Sequence, residues 1–203
     1  MKGVLKITNV SQSKVKIEDF KIKYVYGRFK NEVSGIYEKL EKNNELIRKE
    51  LISQFNQVYI KAGRLQEKKL KGAIKYIYIS YLRSSLFEGN AMYRIDLYDE
   101  KWFLDKEECS SFINFNFIFE NLFIHMNELY EKKKEYGIGI SELDIEKIMF
   151  EEGEGYHKVA VNLLNDLIED LIKSDEYKKM SKNDEVMIFA GEFRDQSKLL
   201  LKA

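Results

Sequence analysis

Val15-Lys16-Ile17-Glu18-Asp19-Phe20-Lys21-Ile22-Lys23-Tyr24-Val25-Tyr26 interleaves apolar and charged residues. Val15 and Ile17, then Phe20, Ile22, Tyr24 and Tyr26, fall to one side, with Lys14, Lys16, Lys21 and Lys23 between them. A period of two built from β-branched and aromatic residues predicts one or two strands. Gly3–Val10 offers another strand, and Gly27 ends the run. A small antiparallel sheet near the N-terminus is therefore expected.

From Glu32 the period lengthens. Ile36, Leu40, Ile47, Leu51, Phe55, Val58 and Ala62 recur at intervals of three, four or seven, one apolar stripe of a long amphipathic helix. Asn43 and Asn44 interrupt that stripe and mark a kink or break, and Gly63 predicts its stop. A second helix is expected over Gln66–Phe87, although its segment Ile74–Leu82, IKYIYISYL, also reads as a strand. Gly89-Asn90 signals a turn. Ala91–Asp99 alternates as a strand and is expected to pair with the N-terminal strands, since a lone strand leaves its backbone groups unmatched.

Phe112–Tyr130 marks a third helix, and Gly137-Ile138-Gly139 is the clearest linker. Ser141-Glu142-Leu143-Asp144 has the form of a capping box and opens a long helix reaching Leu171. Ser181-Lys182-Asn183-Asp184 repeats the signal for a last helix with Val186, Phe189, Phe193 and Leu200 inward. The sum is an α+β fold, predominantly helical, of about five helices in long helical hairpins packed with the small N-terminal antiparallel sheet. It reads as a single domain over 1–203, with a C-terminal helical hairpin subdomain at 141–203.

Of the 203 residues, 44% are hydrophobic and 13% aromatic, which excludes a disordered chain. There is no proline, where ~5% usage gives about ten, and that suits uninterrupted helices. The abundance of Lys, Ile, Asn, Tyr and Phe also matches the codon usage of a low-GC bacterium or its phage. Cys109 is the only cysteine, so neither an internal disulfide nor a multi-thiolate metal knuckle can form. With no signal-peptide pattern and no apolar run near ~20 residues, the reading is a cytoplasmic protein with no membrane partner.

The formal net charge is zero, yet residues 1–90 hold nineteen basic and nine acidic side chains. The most basic stretch contains Lys61, Arg64, Lys68, Lys69, Lys71 and Lys75, a candidate nucleic-acid surface expected to be helical on both sides of a break at Gly63. Lysine outnumbers arginine by 28 to 6, which weighs against bidentate phosphate or base recognition. Glu151-Glu152-Gly153-Glu154-Gly155-Tyr156-His157 gathers carboxylates with one of two histidines. Glu154 and His157 share the Glu-x-x-His spacing of carboxylate-bridged metal sites, and Glu152 falls on the apolar stripe. Only one such motif is present where a di-metal bundle needs two, so no cofactor is expected. Cys109 lies beside Glu107 and Glu108, which raise a thiol pKa and disfavour a nucleophile. Phosphate-binding, dinucleotide-binding and hydrolase-elbow glycine motifs are absent.

Tyr76, Tyr78, Tyr81, Tyr93, Tyr98 and Trp102 are residue types that anchor interfaces, with Phe103 beside Trp102; Arg194-Asp195 is assigned to the surface. The sequence thus favours a non-enzymatic regulator, adaptor, inhibitor or immunity-type protein that binds another protein. A nucleic-acid-associated protein acting through residues 61–75 ranks second, and a metal-assisted enzyme using Glu152, Glu154 and His157 third.

Overall fold

Helical periodicity prevails over alternation at the start of the described chain. The structure, a computed structural model, describes residues 15–203. Residues 15–24 form a helix, α1, rather than strands. Phe20 is fully buried, its ring centroid 5.2 Å from Tyr24, one turn away, and 5.3 Å from Tyr136. Val15 and Ile22, which the alternation grouped with Phe20, are 68% and 64% exposed. The expected N-terminal sheet is therefore overturned at 15–26, while the strand expected at Gly3–Val10 lies outside the described residues. Gly27, at φ +84°, supplies the left-handed step into α2, Arg28–Lys42.

The remaining elements are α3 (Asn44–Glu67), β1 (Ile74–Tyr81), β2 (Met92–Tyr98), β3 (Ser110–Asn114), α4 (Asn116–Lys133), α5 (Glu142–Lys173), α6 (Asp175–Lys179), β4 (Lys182–Glu192) and β5 (Ser197–Lys202). The long stripe breaks at Asn43, as its polar interruption implied, but continues through Gly63. Ser141 and Asp144 cap α5 reciprocally: Ser141 N donates to Asp144 Oδ2 at 2.9 Å and Asp144 N to Ser141 Oγ at 3.2 Å. Among the described residues no helix is long and apolar enough to cross a membrane.

The described chain divides into two compact units, one from residues 15–39 and 117–156, the other from 40–116 and 157–203. The first is helical. Phe20, Ile36, Phe119, Leu122, Ile145, Ile148 and Tyr156 are buried within it. Its helices are also joined by ion pairs, Lys21–Glu151 and Arg28–Glu128, each at 2.6 Å. His125 Nε2 donates to the Tyr24 carbonyl at 2.9 Å.

The second unit contains a mixed five-stranded sheet in the order β3-β2-β1-β4-β5. β1 is parallel to β4, and the other neighbours are antiparallel. This sheet comes from central and C-terminal strands, and it replaces the small N-terminal antiparallel sheet of the sequence reading. β2 accordingly pairs with β1 and β3. Residues 74–81 form a strand because Ile77, Ile79 and Tyr81 are buried in alternation, while Tyr76 and Tyr78 lie on the opposite face. The last expected helix is the β4–β5 hairpin. Val186, Ile188 and Ala190 alternate inward, a pattern the helical spacing of Val186, Phe189 and Phe193 obscured. Gly191 lacks a Cβ where one would strike the Gln196 and Ser197 backbone, allowing the hairpin to close.

α3 packs on β2 and β3 with Leu51, Phe55, Val58 and Ala62 buried. The same face of the sheet receives His157 of α5, whose ring stacks on Tyr81 at 4.9 Å. The other face carries Tyr76, Tyr78, Ser80, Arg94, Asp96, Tyr98 and Phe189, as the cross-strand pairs Tyr76–Tyr98, Tyr78–Asp96, Ser80–Arg94 and Tyr78–Phe189 require.

Candidate functional site

That second face bears a cleft of about 790 Å³ lying wholly within the sheet-containing unit. Its floor is Ser80, Arg94 and Asp96. One wall is aromatic. Trp102 and Phe103 stack at 4.6 Å, Phe103 lies 5.5 Å from Tyr78 and 5.4 Å from Tyr98, and Trp102 Nε1 donates to Tyr78 Oη at 3.1 Å. Trp102 and Phe103 nonetheless remain 43% and 55% exposed. The remaining wall includes Phe193, Arg194 and Asp195 of the β4–β5 turn. The Arg94 and Arg194 guanidiniums lie 5.6 and 5.1 Å from the Phe193 ring, within cation–π range.

The loop bearing Trp102 is tied down by Asp105. Its Oδ2 accepts from Lys71 Nζ at 2.5 Å and from Asp99 N at 3.2 Å, and its Oδ1 accepts from Glu107 N at 3.1 Å. Lys71 Nζ also donates to the Glu107 carbonyl at 2.7 Å. Burial alone would raise the Asp105 pKa, but the Lys71 bond and the two amides outweigh it and hold the carboxyl below its ordinary range.

On the floor, Arg94 meets Asp96 at 2.8 Å and Glu108 at 3.0 Å. Burial pushes the Asp96 carboxyl above its ordinary range despite Arg94. Trp102 and Arg194 adopt left-handed backbone conformations, φ +55° and +58°. Both line the cleft. Such geometry is costly for residues with a Cβ and collects at functional loops.

The structure separates the six interface aromatics of the sequence reading. Tyr76, Tyr78, Tyr98 and Trp102 share the cleft face. Tyr81 and Tyr93 are buried on the helix-covered face, where Tyr93 Oη and His157 Nδ1 are 2.7 Å apart. The basic stretch is also divided. Lys61, Arg64, Lys68 and Lys69 are exposed, Lys75 is half-buried beside the Tyr76 ring, and Lys71 is withdrawn into its ion pair with Asp105.

Of the metal candidates, Glu152 is half-buried, its pKa raised by burial and by Glu151 and Glu32. Glu154 lies one turn before His157 on α5. Burial lowers the His157 pKa to about 4. Among the described residues, no group of three or more His, Cys, Asp or Glu side chains is arranged to hold a metal ion. Cys109 is buried, which pushes its thiol up to about 11.

Arg94, Asp96, Phe193 and Arg194 were missed as site residues. Arg94 and Asp96 were legible as the second face of an alternating strand, but the register that sets them beside Tyr78 and Ser80 was not. No family model, curated protein or solved structure matches the chain.

Proposed function

We propose that the protein acts by binding another polypeptide, whose segment enters the cleft. The aromatic sheet face carries this reading. A solvent-facing sheet surface ordinarily alternates to polar side chains. Here that face presents Tyr76, Tyr78, Tyr98 and Phe189, with Trp102 and Phe103 held against it by an anchored loop. Tyr, Trp and Arg dominate binding hot spots, and all three line this cleft. Its volume falls in the range of about 300–1,000 Å³ typical of pockets that grip side chains and small ligands. A regulator or adaptor of the cytoplasm fits a chain whose single thiol is buried. The exposed part of the basic stretch supports the nucleic-acid reading less well, because Lys71 is committed internally.

The test is to pan a display library of random twelve-residue peptides against the full chain. Enriched peptides should lose capture when Trp102 and Phe103 are both replaced by Ala, while the far-ultraviolet circular dichroism spectrum stays unchanged. Capture that survives the double substitution, or no enrichment at all, refutes the reading.

A further inference from the structure

The polypeptide-binding reading can be deepened, and this step rests on it. We propose that the partner segment places a tyrosine side chain in the cleft, its ring against the aromatic wall and its hydroxyl on Ser80. Ser80 lies on the cleft face of β1, two residues beyond Tyr78 and opposite Arg94, and it lines the cleft floor. It is only 5% exposed, and its hydroxyl has no hydrogen-bond partner among the described residues. Its polar neighbours are already engaged. Arg94 and Asp96 hold each other at 2.8 Å, and the Tyr78 hydroxyl accepts from Trp102. A buried hydroxyl left unmatched is costly, so the cleft is completed by a guest that brings a polar atom to Ser80.

The walls decide what carries that atom. Trp102 and Phe103 stack on each other yet stay largely open to solvent, and Phe193 adds a ring from the β4–β5 turn. Another aromatic ring covers such surfaces best, offset or edge-on. Tyrosine sets a hydroxyl at the tip of a six-membered ring, and that hydroxyl can accept the Ser80 proton or donate to Ser80 Oγ. Phenylalanine would cover the wall and leave Ser80 unmatched. Serine or threonine would reach Ser80 and leave the wall bare, and tryptophan carries its N–H on the ring edge rather than the tip.

Trp102 is the only tryptophan, so intrinsic emission reports on the cleft. The experiment titrates the full chain with acetylated, amidated Gly-Gly-Tyr-Gly-Gly, with its Phe counterpart and with a twelve-nucleotide oligothymidylate. The Tyr peptide should give a saturable change in Trp102 emission, about ten-fold tighter than the Phe peptide, the effect of one matched hydrogen bond. Ser80→Ala should remove that preference by weakening the Tyr peptide to the level of the Phe peptide. Damage to the fold would weaken both peptides alike and leave their ratio unchanged. Equal binding of the two peptides by the native chain overturns the proposal, as does a Tyr preference that survives Ser80→Ala, or a tighter response to oligothymidylate than to the Tyr peptide. If neither pentapeptide changes the emission while panned peptides still do, tyrosine recognition fails and polypeptide binding stands. If the panned peptides also leave the emission unchanged, both fail.

Discussion

Replacing Lys71 with Met tests whether the buried ion pair is what fixes the cleft. The Lys71 side chain is fully buried and that of Asp105 is 4% exposed, so neither partner can turn to water. Removing one member of a buried pair costs about 3–5 kcal/mol, because the other charge stays behind uncompensated. Asp105 retains the Asp99 and Glu107 amides, which places the loss near the lower end, about 3 kcal/mol. Met preserves most of the lysine stem, so little cavity is added.

The pH dependence has a definite sign. In the native protein the Asp105 pKa is depressed, so its stabilisation is present above about pH 4 and is lost as pH falls through the folded value. In Lys71→Met the buried carboxylate favours its proton, so the gap to the native protein narrows from pH 7 towards pH 4. Urea denaturation followed by Trp102 emission reads the sheet-containing unit, and the folded variant should show emission shifted towards that of exposed tryptophan. A loss under 1 kcal/mol with native-like emission refutes the reasoning.

The strained turn in the cleft wall makes its own prediction. Arg194→Gly should be more stable than Arg194→Ala by about 1 kcal/mol in thermal melts, since both lose the guanidinium but only alanine keeps a Cβ at φ +58°. His157, with its pKa lowered to about 4, resists the protonation that the unfolded chain accepts below about 6.5. Its contribution is therefore complete above that value and falls with pH, by about 2 kcal/mol at pH 5. His157→Gln should flatten that part of the stability profile, and an unchanged slope between pH 7 and pH 5 counts against a buried neutral imidazole.

The parts of the fold written in local chemistry were legible. The polar break at Asn43, the Ser141–Asp144 box and the 91–99 strand each depend on neighbours in sequence. Misreadings arose where one sequence satisfies two periods. Phe20 and Tyr24 fit both alternation and one helical turn, and burial against Tyr136 decides for the helix. Val186–Ala190 likewise fits both, and parallel pairing with β1 decides for the strand. That choice depends on residues about a hundred positions apart. The cleft was half legible for the same reason. Its aromatic residues stand out by type, but only the register joins Arg94 and Asp96 to them, and only the β4–β5 turn brings Phe193 and Arg194.

Hydrogen–deuterium exchange on the full chain, with and without a peptide selected by panning, tests polypeptide binding at the cleft most directly. Protection should concentrate in residues 99–109 and 192–197, with the helical unit unchanged. Protection confined to residues 61–69 of the basic stretch, or to α1 and α4, would contradict the account.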